Sequence, residues 1–268
     1  MFRDITIGQY LAGDSVVHRL DPRTKITFVG VFMVILFTAI SAAAYLTLIA
    51  FTVAVVALAQ VPPKMLTRGL RPILFLLVLT FVLQLFLTKG TPLFVIGPLV
   101  ATWEGLRFGL FMVTRLLLLL VMASLLTLTT SPVALTDGLE HILAPFRLIG
   151  LPAHELAMMM TIALRFIPTL MEEADKIMKA QMARGADFES GNIFRRARSM
   201  VPLLVPLFVS AFRRADELAT AMESRCYRGG VHRTRLNRLR ATRLDAVAVV
   251  VLAALAAVVV ALRWWPPW

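Results

Sequence analysis

Long apolar runs alternate with charged stretches along this chain, and each run predicts a membrane-spanning helix. Residues 26–59 carry no charge and are too long for one crossing of a ~30 Å hydrocarbon core, so they predict two spans that break near residues 41–45. Further runs begin at Pro72 and Gly105, and an Ala/Val-rich run covers residues 246–262. The pattern therefore predicts five spans.

Capping residues and prolines mark several helix starts. Asp21-Pro22 and Ser131-Pro132 both place a side-chain acceptor before a proline, which suits the first helical position. Thr102 also precedes a helical pattern. Residues 93–100 are apolar but too short to cross, so we expect an extended or re-entrant piece on the far side of the membrane.

Two long amphipathic helices are predicted between the fourth and fifth spans. Residues 152–186 and 193–228 place apolar side chains on one stripe at helical spacing, and their ends are charged. Glycine-containing breaks follow both segments. Residues 132–147 predict a shorter surface helix, because they carry several charges. We expect the two long helices to lie beneath or partly within the membrane.

These elements predict an all-α polytopic membrane protein with about five transmembrane helices, two long cytoplasmic helices and one shorter surface helix. Residues 1–130 form a membrane domain with four spans, residues 131–243 form the module of cytoplasmic helices, and residues 244–268 form the final span.

Basic residues set the predicted orientation. The net charge is +12, and 24 of the 28 Lys and Arg fall in the N-terminal segment, the loop at 60–71 and residues 130–243, which end in a basic run. Because such residues concentrate on the cytoplasmic side, we expect the N-terminus and the long helices inside the cell and the C-terminus outside. No nucleic-acid motif or aromatic stacking surface accompanies the charge, so we expect no nucleic-acid partner.

Catalytic and metal-binding motifs are absent from the sequence. There is no phosphate-binding P-loop, the four histidines are scattered, and the single cysteine allows no internal disulfide. We therefore predict no catalytic residue, no metal ligand and no cofactor bound by this chain. A stand-alone secondary transporter and a polytopic membrane enzyme remain alternatives, with Arg115 and Arg165 as the candidates for a polar centre. We favour a paired, structural role for Arg115.

A short internal duplication carries the functional prediction. Ala183-Arg184-Gly185 lies 41 positions before Ser224-Arg225-Cys226, and an Ala-Asp pair precedes each arginine at the same distance. A cation at a helix C-terminus is stabilised by the helix dipole, but this alone does not explain the repeated register. Small neighbours let a helix end enter a groove while the guanidinium meets carboxylates or carbonyls. We therefore predict two docking sites.

The chain resembles the T component of energy-coupling factor (ECF) transporters, the micronutrient importers of the ABC class. The resemblance covers nearly the whole chain and rests on residues 21–25, 165–168, 172–175, 183–185, 202–207 and 213–217. In that family, Ala-Arg-Gly signatures end two coupling helices. The second signature here keeps Arg225 but replaces its Ala and Gly neighbours with Ser224 and Cys226.

The resemblance implies partners and a location. Two ABC ATPase subunits, which bind ATP and Mg, are expected at the two signatures, and a small substrate-binding membrane protein, the S component, is expected on the coupling helices. Its contacts are assigned to seven apolar residues: Met160, Leu164, Ile167, Pro168, Met171, Leu204 and Phe208. The protein is then an energy-coupling subunit of a vitamin or transition-metal-ion importer in a prokaryotic cell (inner) membrane. The residues 21–25 remain either a capped helix start with basic anchors or a partner contact.

Overall fold

The computed structural model describes residues 10–96, 99–150, 152–186, 188, 192–229 and 239–264. The chain divides into two compact units. Residues 8–141 with 238–268 form what we call the membrane unit, and residues 142–237 form the helix-pair unit. Most of the predicted basic run before the last span lies outside the described residues.

The described residues are almost entirely helical, which confirms the all-α prediction. In chain order the elements are α1 (Pro22–Thr38), α2 (Ala42–Ala59), α3 (Pro63–Leu87), β1 (Pro92–Ile96), β2 (Leu99–Thr102), α4 (Trp103–Thr129), α5 (Pro132–Leu143), a 3-10 helix (Ala144–Ile149), α6 (Ala153–Ala183), α7 (Ile193–Ser224) and α8 (Arg243–Trp264).

Four helices in the described part of the chain are long and apolar enough to cross a bilayer: α2, Gly69–Leu87 of α3, α4 and Arg243–Arg263 of α8. The predicted first span, α1, has 17 residues, which is the short end of the crossing range. It packs against α4 and α8 inside the membrane unit. The fold is that of a polytopic membrane protein.

Polar side chains start the helices where the sequence predicted. Asp21 accepts a hydrogen bond from the backbone N–H of Arg23 at the start of α1, and Thr102 accepts one from Gly105 at the start of α4. The third helix differs from the prediction. It begins at Pro63, and Pro72 lies inside it, because the basic residues before Pro72 continue the helix beyond its apolar part.

The core of the membrane unit joins α1, α2, α4 and α8. Phe32, Leu36, Leu48, Met122 and Val259 are its largest fully buried side chains. These helices are apolar around most of their circumference, and many of their other large side chains are exposed. Such surfaces are expected where the surrounding solvent is lipid.

Buried polar contacts hold the start of α1. The Lys25 ammonium donates to the carbonyl oxygens of His18 and Thr129 at 3.1 and 2.9 Å, and to the Thr130 hydroxyl at 3.3 Å. The Asp245 carboxylate accepts from the backbone N–H of Asp21 at 2.8 Å, which ties α1 to α8. Lys25 and Asp21 therefore have a structural role in the chain itself.

Arg115 is paired within the membrane unit, as predicted. Its Nε donates to the Tyr45 hydroxyl at 3.0 Å, and its guanidinium lies over the rings of Phe37 and Tyr45 at 5.3 and 5.9 Å. A charged group inside a span needs such partners. Through its hydrogen bond to Tyr45, Arg115 connects α4 to α2.

Between α3 and α4, the strands β1 and β2 pair antiparallel, which agrees with the predicted extended piece; its side of the membrane stays a prediction. The two helices approach closely at Gly105. A Cβ there would meet the carbonyl oxygens of Gln84 and Leu85, each at 2.7 Å, so only glycine fits.

Candidate coupling interface

Both arginine signatures end a helix with the same backbone turn. At the end of α6, the N–H of Ala186 donates to the carbonyl of Gln181, and the N–H of Gly185 donates to Met182, both at 2.9 Å. These 6→1 and 5→2 bonds define a Schellman motif, in which Arg184 is the C-cap residue.

The second signature repeats this turn at the end of α7. The N–H of Tyr227 donates to Met222 at 3.0 Å, and that of Cys226 donates to Glu223 at 2.9 Å. Arg225 takes the position of Arg184. Sequence reasoning placed the end of α7 at residue 228, but the helix ends at Ser224. The duplication is thus a duplication of backbone geometry.

Gly185 and Cys226 occupy the left-handed position of the two turns, with φ of +85° and +55°. Glycine adopts this conformation freely, whereas an L-residue with a Cβ pays roughly 1–2 kcal/mol. A Cβ on Gly185 would meet no atom within 4 Å. The first signature therefore needs glycine for its backbone and not because of crowding, and the second carries strain at Cys226.

All six signature residues are exposed, from Ala183 to Gly185 and from Ser224 to Cys226. Among the described residues, neither Arg184 nor Arg225 has a side-chain hydrogen bond or ion pair. Each guanidinium lies at the negative end of a helix dipole, which stabilises it by ~0.3–1 kcal/mol. The structure thus places both cations where an external acceptor can reach them.

Three contacts show that α6 and α7 run antiparallel. Gln181 meets the carbonyl of Pro202 at 3.4 Å, and Glu173 meets Arg214 at 2.9 Å. Tyr227, beyond the end of α7, meets Met158 near the start of α6 at 3.0 Å. Residue numbers rise along α6 as they fall along α7.

The two arginines consequently lie at opposite ends of the helix pair. Arg225 is next to Tyr227, which packs against Met158, whereas Arg184 caps the far end of α6. The intervening part of α6 rises about 40 Å at 1.5 Å per residue. Two partners can therefore bind the two ends without competing for space.

A polar contact joins the middle of the pair. The Glu173 carboxylate accepts hydrogen bonds from the Ser210 hydroxyl and the Arg214 guanidinium, and its side chain remains one-quarter exposed. The hydrogen bond from Ser210 is the main reason why the pKa of Glu173 lies below its ordinary value of 4.5; desolvation opposes it, and the hydrogen bond from Arg214 adds to the lowering.

Sequence reasoning missed this contact, although the repeat contained a signal for it. Glu173 and Arg214 are 41 residues apart and each directly precedes an Ala-Asp pair. When two copies of a repeat pack antiparallel, equivalent positions lie side by side only at the crossing point, and opposite charges there can form an ion pair. The 41-residue offset and the charge reversal together mark the crossing point.

The residues assigned to the S component differ in exposure. Met160, Pro168, Leu204 and Phe208 are exposed, whereas Leu164, Ile167 and Met171 are half-buried. The exposed set on α7 is larger than the sequence indicated and covers one face of the helix: Val201, Leu204, Val205, Phe208, Val209 and Phe212. We call these six residues the α7 stripe.

The α7 stripe faces away from α6. Its members recur at spacings of three and four, which puts them on one side of the helix. Leu203, on the opposite side, is only 6% exposed. A continuous apolar face of this kind on a helix indicates a surface for lipid or for a partner protein.

No metal centre is formed by the described residues, where His, Cys, Asp and Glu make no group of three that could hold an ion. Cys226 is exposed and unbridged.

Comparison with known proteins gives one consistent result. Residues 13–236 match the family model described as "Cobalt transport protein", CbiQ. The chain is 63% identical over 254 residues to the energy-coupling factor transporter transmembrane protein EcfT of Thermosediminibacter oceani, covering 95% of this chain and 96% of the relative. It is 54% identical to EcfT of Acidaminococcus fermentans over 267 residues, all of both chains. Against EcfT of Bacillus subtilis it is 50% identical over 264 residues, 98% of this chain and 100% of the relative.

Proposed function

This chain belongs to the family of EcfT proteins, the energy-coupling transmembrane components of ECF transporters, and from that premise we propose that Arg184 and Arg225 dock into two ABC ATPase subunits. The transporter so formed imports a vitamin or a transition-metal ion. ATP and Mg are bound by the ATPases, and this chain supplies no catalytic group.

The observation that carries the proposal is the repeated helix end. Two identical turns, on opposite ends of one antiparallel helix pair, each present an exposed arginine without a partner among the described residues. Arginine suits this role because its planar guanidinium donates to carboxylates or backbone carbonyls in a fixed geometry. Two like sites at opposite ends suit two like partners.

The helix pair then transmits movement. When the ATPases close on ATP, the ends of α6 and α7 move relative to each other, and the contact between Glu173 and Arg214 keeps the two helices joined. The movement reaches the S component, a small membrane protein that holds the substrate and reorients. Its docking surface is the α7 stripe, which includes Leu204 and Phe208.

The distribution of basic residues supports the orientation. With the N-terminus, α6 and α7 on the cytoplasmic side, most Lys and Arg face the cytoplasm, and the C-terminus is extracytoplasmic. In this orientation the two arginines lie on the cytoplasmic side, where ATP is available. The membrane is the inner membrane of a prokaryotic cell.

Charge reversal at the two helix ends tests the proposal. The variant Arg184→Glu/Arg225→Glu should lose co-purification with the ATPases and lose uptake, because it places an anion at each negative helix end and removes both donors. Arg213→Glu, an exposed arginine of α7 away from the signatures, is the matched control and should retain the ATPases.

Three results would contradict the proposal. One is unchanged ATPase association and uptake by the double Glu variant. Another is substrate flux in liposomes that contain this chain alone, which is the outcome expected of a stand-alone secondary transporter. A purified complex with neither ATPase nor a second membrane protein would likewise count against it.

A further inference from the structure

An apolar cavity of about 340 Å³ lies in the membrane unit, between α1, α2, α4 and α8. Its walls include Phe28, Phe51 and Met122. The volume falls in the range of about 300–1,000 Å³ that is typical of ligand sites. The cavity is separate from the signatures and the α7 stripe, so the proposed coupling function does not account for it.

The cavity opens toward the bilayer. Three wall residues are also strongly exposed: Leu58 of α2 at 55%, and Val247 and Val251 of α8 at 58% and 43%. Both helices are candidate membrane spans. A ligand therefore enters sideways from the lipid, between α2 and α8.

The interior of the cavity suits hydrocarbon. Its one charged wall residue is Lys25, and the ammonium group already donates to oxygens of His18, Thr129 and Thr130. An ammonium has three donors, so Lys25 offers none to a ligand. The remaining walls are almost entirely aliphatic or aromatic.

Arginines occur in the chain beside the cavity walls, near the starts of α1 and α8. Three arginines each directly precede a wall residue in the chain: Arg19, Arg23 and Arg243. Arg19 and Arg243 are exposed. The Nε–H of Arg23 is buried and makes no hydrogen bond within the described residues, and the nearest carboxylate oxygen, on Asp21, is 3.9 Å away.

We propose that this cavity holds an acyl chain of an anionic phospholipid, whose phosphate lies against Arg19, Arg23 and Arg243. The hydrocarbon fills the apolar interior, and the headgroup neutralises the arginines. The bilayer supplies the ligand at the helix ends where these arginines lie. The site belongs to the membrane unit and does not depend on ATPase docking.

Native mass spectrometry of the full-length protein in detergent tests the site. The probes are dioleoyl phosphatidylglycerol, the phosphatidylcholine with the same chains, the phosphatidylglycerol with hexanoyl chains, and glycerol phosphate. We expect the first to be retained about tenfold more strongly than each of the others, since only it supplies both the charge and the long chain.

Matched variants separate the two parts of the site. Ala248→Phe fills the cavity and should reduce phosphatidylglycerol retention about tenfold, whereas Ala253→Phe, on an exposed part of the same helix outside the cavity, should not. Arg19→Gln/Arg243→Gln should abolish the preference over phosphatidylcholine, whereas Arg263→Gln, at the other end of α8, should keep it.

Several outcomes would overturn the proposal. Equal retention of the long-chain and hexanoyl phosphatidylglycerols by the wild-type protein would exclude an acyl-chain pocket, even if Ala248→Phe failed to fold. An undiminished preference for phosphatidylglycerol in the double Arg variant would exclude the headgroup site. Binding of glycerol phosphate as strong as that of the lipid would identify a simple phosphate site.

Discussion

Gly185 offers a direct test of the idea that the two signatures share one backbone turn. The substitution Gly185→Ala adds a Cβ at a φ of +85°. The new methyl group meets no atom within 4 Å, so the perturbation acts on the backbone alone. Cys226→Gly is the reverse experiment on the second turn, where a side chain already occupies the left-handed conformation.

The expected change in the free energy of fraying at the end of α6 is the difference between two opposing effects. An L-residue in the left-handed region costs roughly 1–2 kcal/mol. Replacing glycine also removes conformational freedom from the frayed state, which returns about 0.4–1 kcal/mol. The net loss at Gly185 is about 0.5–1 kcal/mol, or roughly a two- to fivefold rise in the frayed population at 25 °C. Cys226→Gly should lower fraying by a similar factor.

Amide hydrogen exchange of the full-length protein measures fraying at each end. The informative amides are those of Ala186 and Tyr227, because each donates the 6→1 hydrogen bond of its turn. Exchange at Ala186 should become faster in Gly185→Ala, and exchange at Tyr227 should become slower in Cys226→Gly. Gly185→Asn is the control, since asparagine tolerates the left-handed region and should stay near the wild-type rate.

A backbone role for Gly185 is refuted if Gly185→Ala leaves exchange at Ala186 unchanged, or if the Ala and Asn variants exchange equally fast. The strain assigned to Cys226 is refuted if Cys226→Gly speeds exchange at Tyr227. If Asn keeps the turn ordered but weakens ATPase binding, the size of the residue at the groove, and not its backbone, limits docking.

Three further predictions concern other contacts. Because Ser210 lowers the pKa of Glu173 from 4.5, the stabilisation of the α6–α7 contact should be complete above that value and be lost as the pH falls through the lowered pKa. Glu173→Gln should remove this pH dependence from spin-label distances between α6 and α7. Lys25→Met should lower the melting temperature in detergent, since it leaves the buried carbonyl of Thr129 without this donor, at about 1–3 kcal/mol; an unchanged value would refute the role of Lys25. Gly105→Ala should destabilise by about 1–3 kcal/mol through overpacking, whereas Gly30→Ala, with open space around the added Cβ, should not.

The sequence predicted those features that depend on local chemistry. Asp21 and Thr102 cap helices because their oxygens sit before exposed backbone N–H groups, and this is visible in any short window. Apolar spacing and glycine breaks predicted both long helices, but α6 ends at Ala183 and not at residue 186, and α7 ends at Ser224 and not at residue 228. The exposure of Arg184 and Arg225 agrees with the predicted docking sites, whose partners remain a prediction.

Features that depend on packing between distant segments were not predictable in the same way. The sequence around Lys25 also fits a basic anchor at the membrane surface. Only the fold brings Lys25 to the carbonyl of Thr129. Pro72 looked like a helix start because apolar residues begin there, but the helix runs through it. The α7 stripe is wider than the sequence indicated, because the side that faces α6 is narrow and is marked by Leu203.

The antiparallel packing of a repeated segment gives the helix pair an approximate dyad, which passes near Glu173 and Arg214. A single polypeptide thereby presents the same arginine-capped turn twice, in opposite directions, without a second copy of the chain. A rotation about that dyad would exchange the two arginine-bearing helix ends, which is the symmetry that the proposed binding of two like subunits requires. The two ends differ at Gly185 and Cys226, so they share their backbone hydrogen bonds but not the residue in the left-handed conformation.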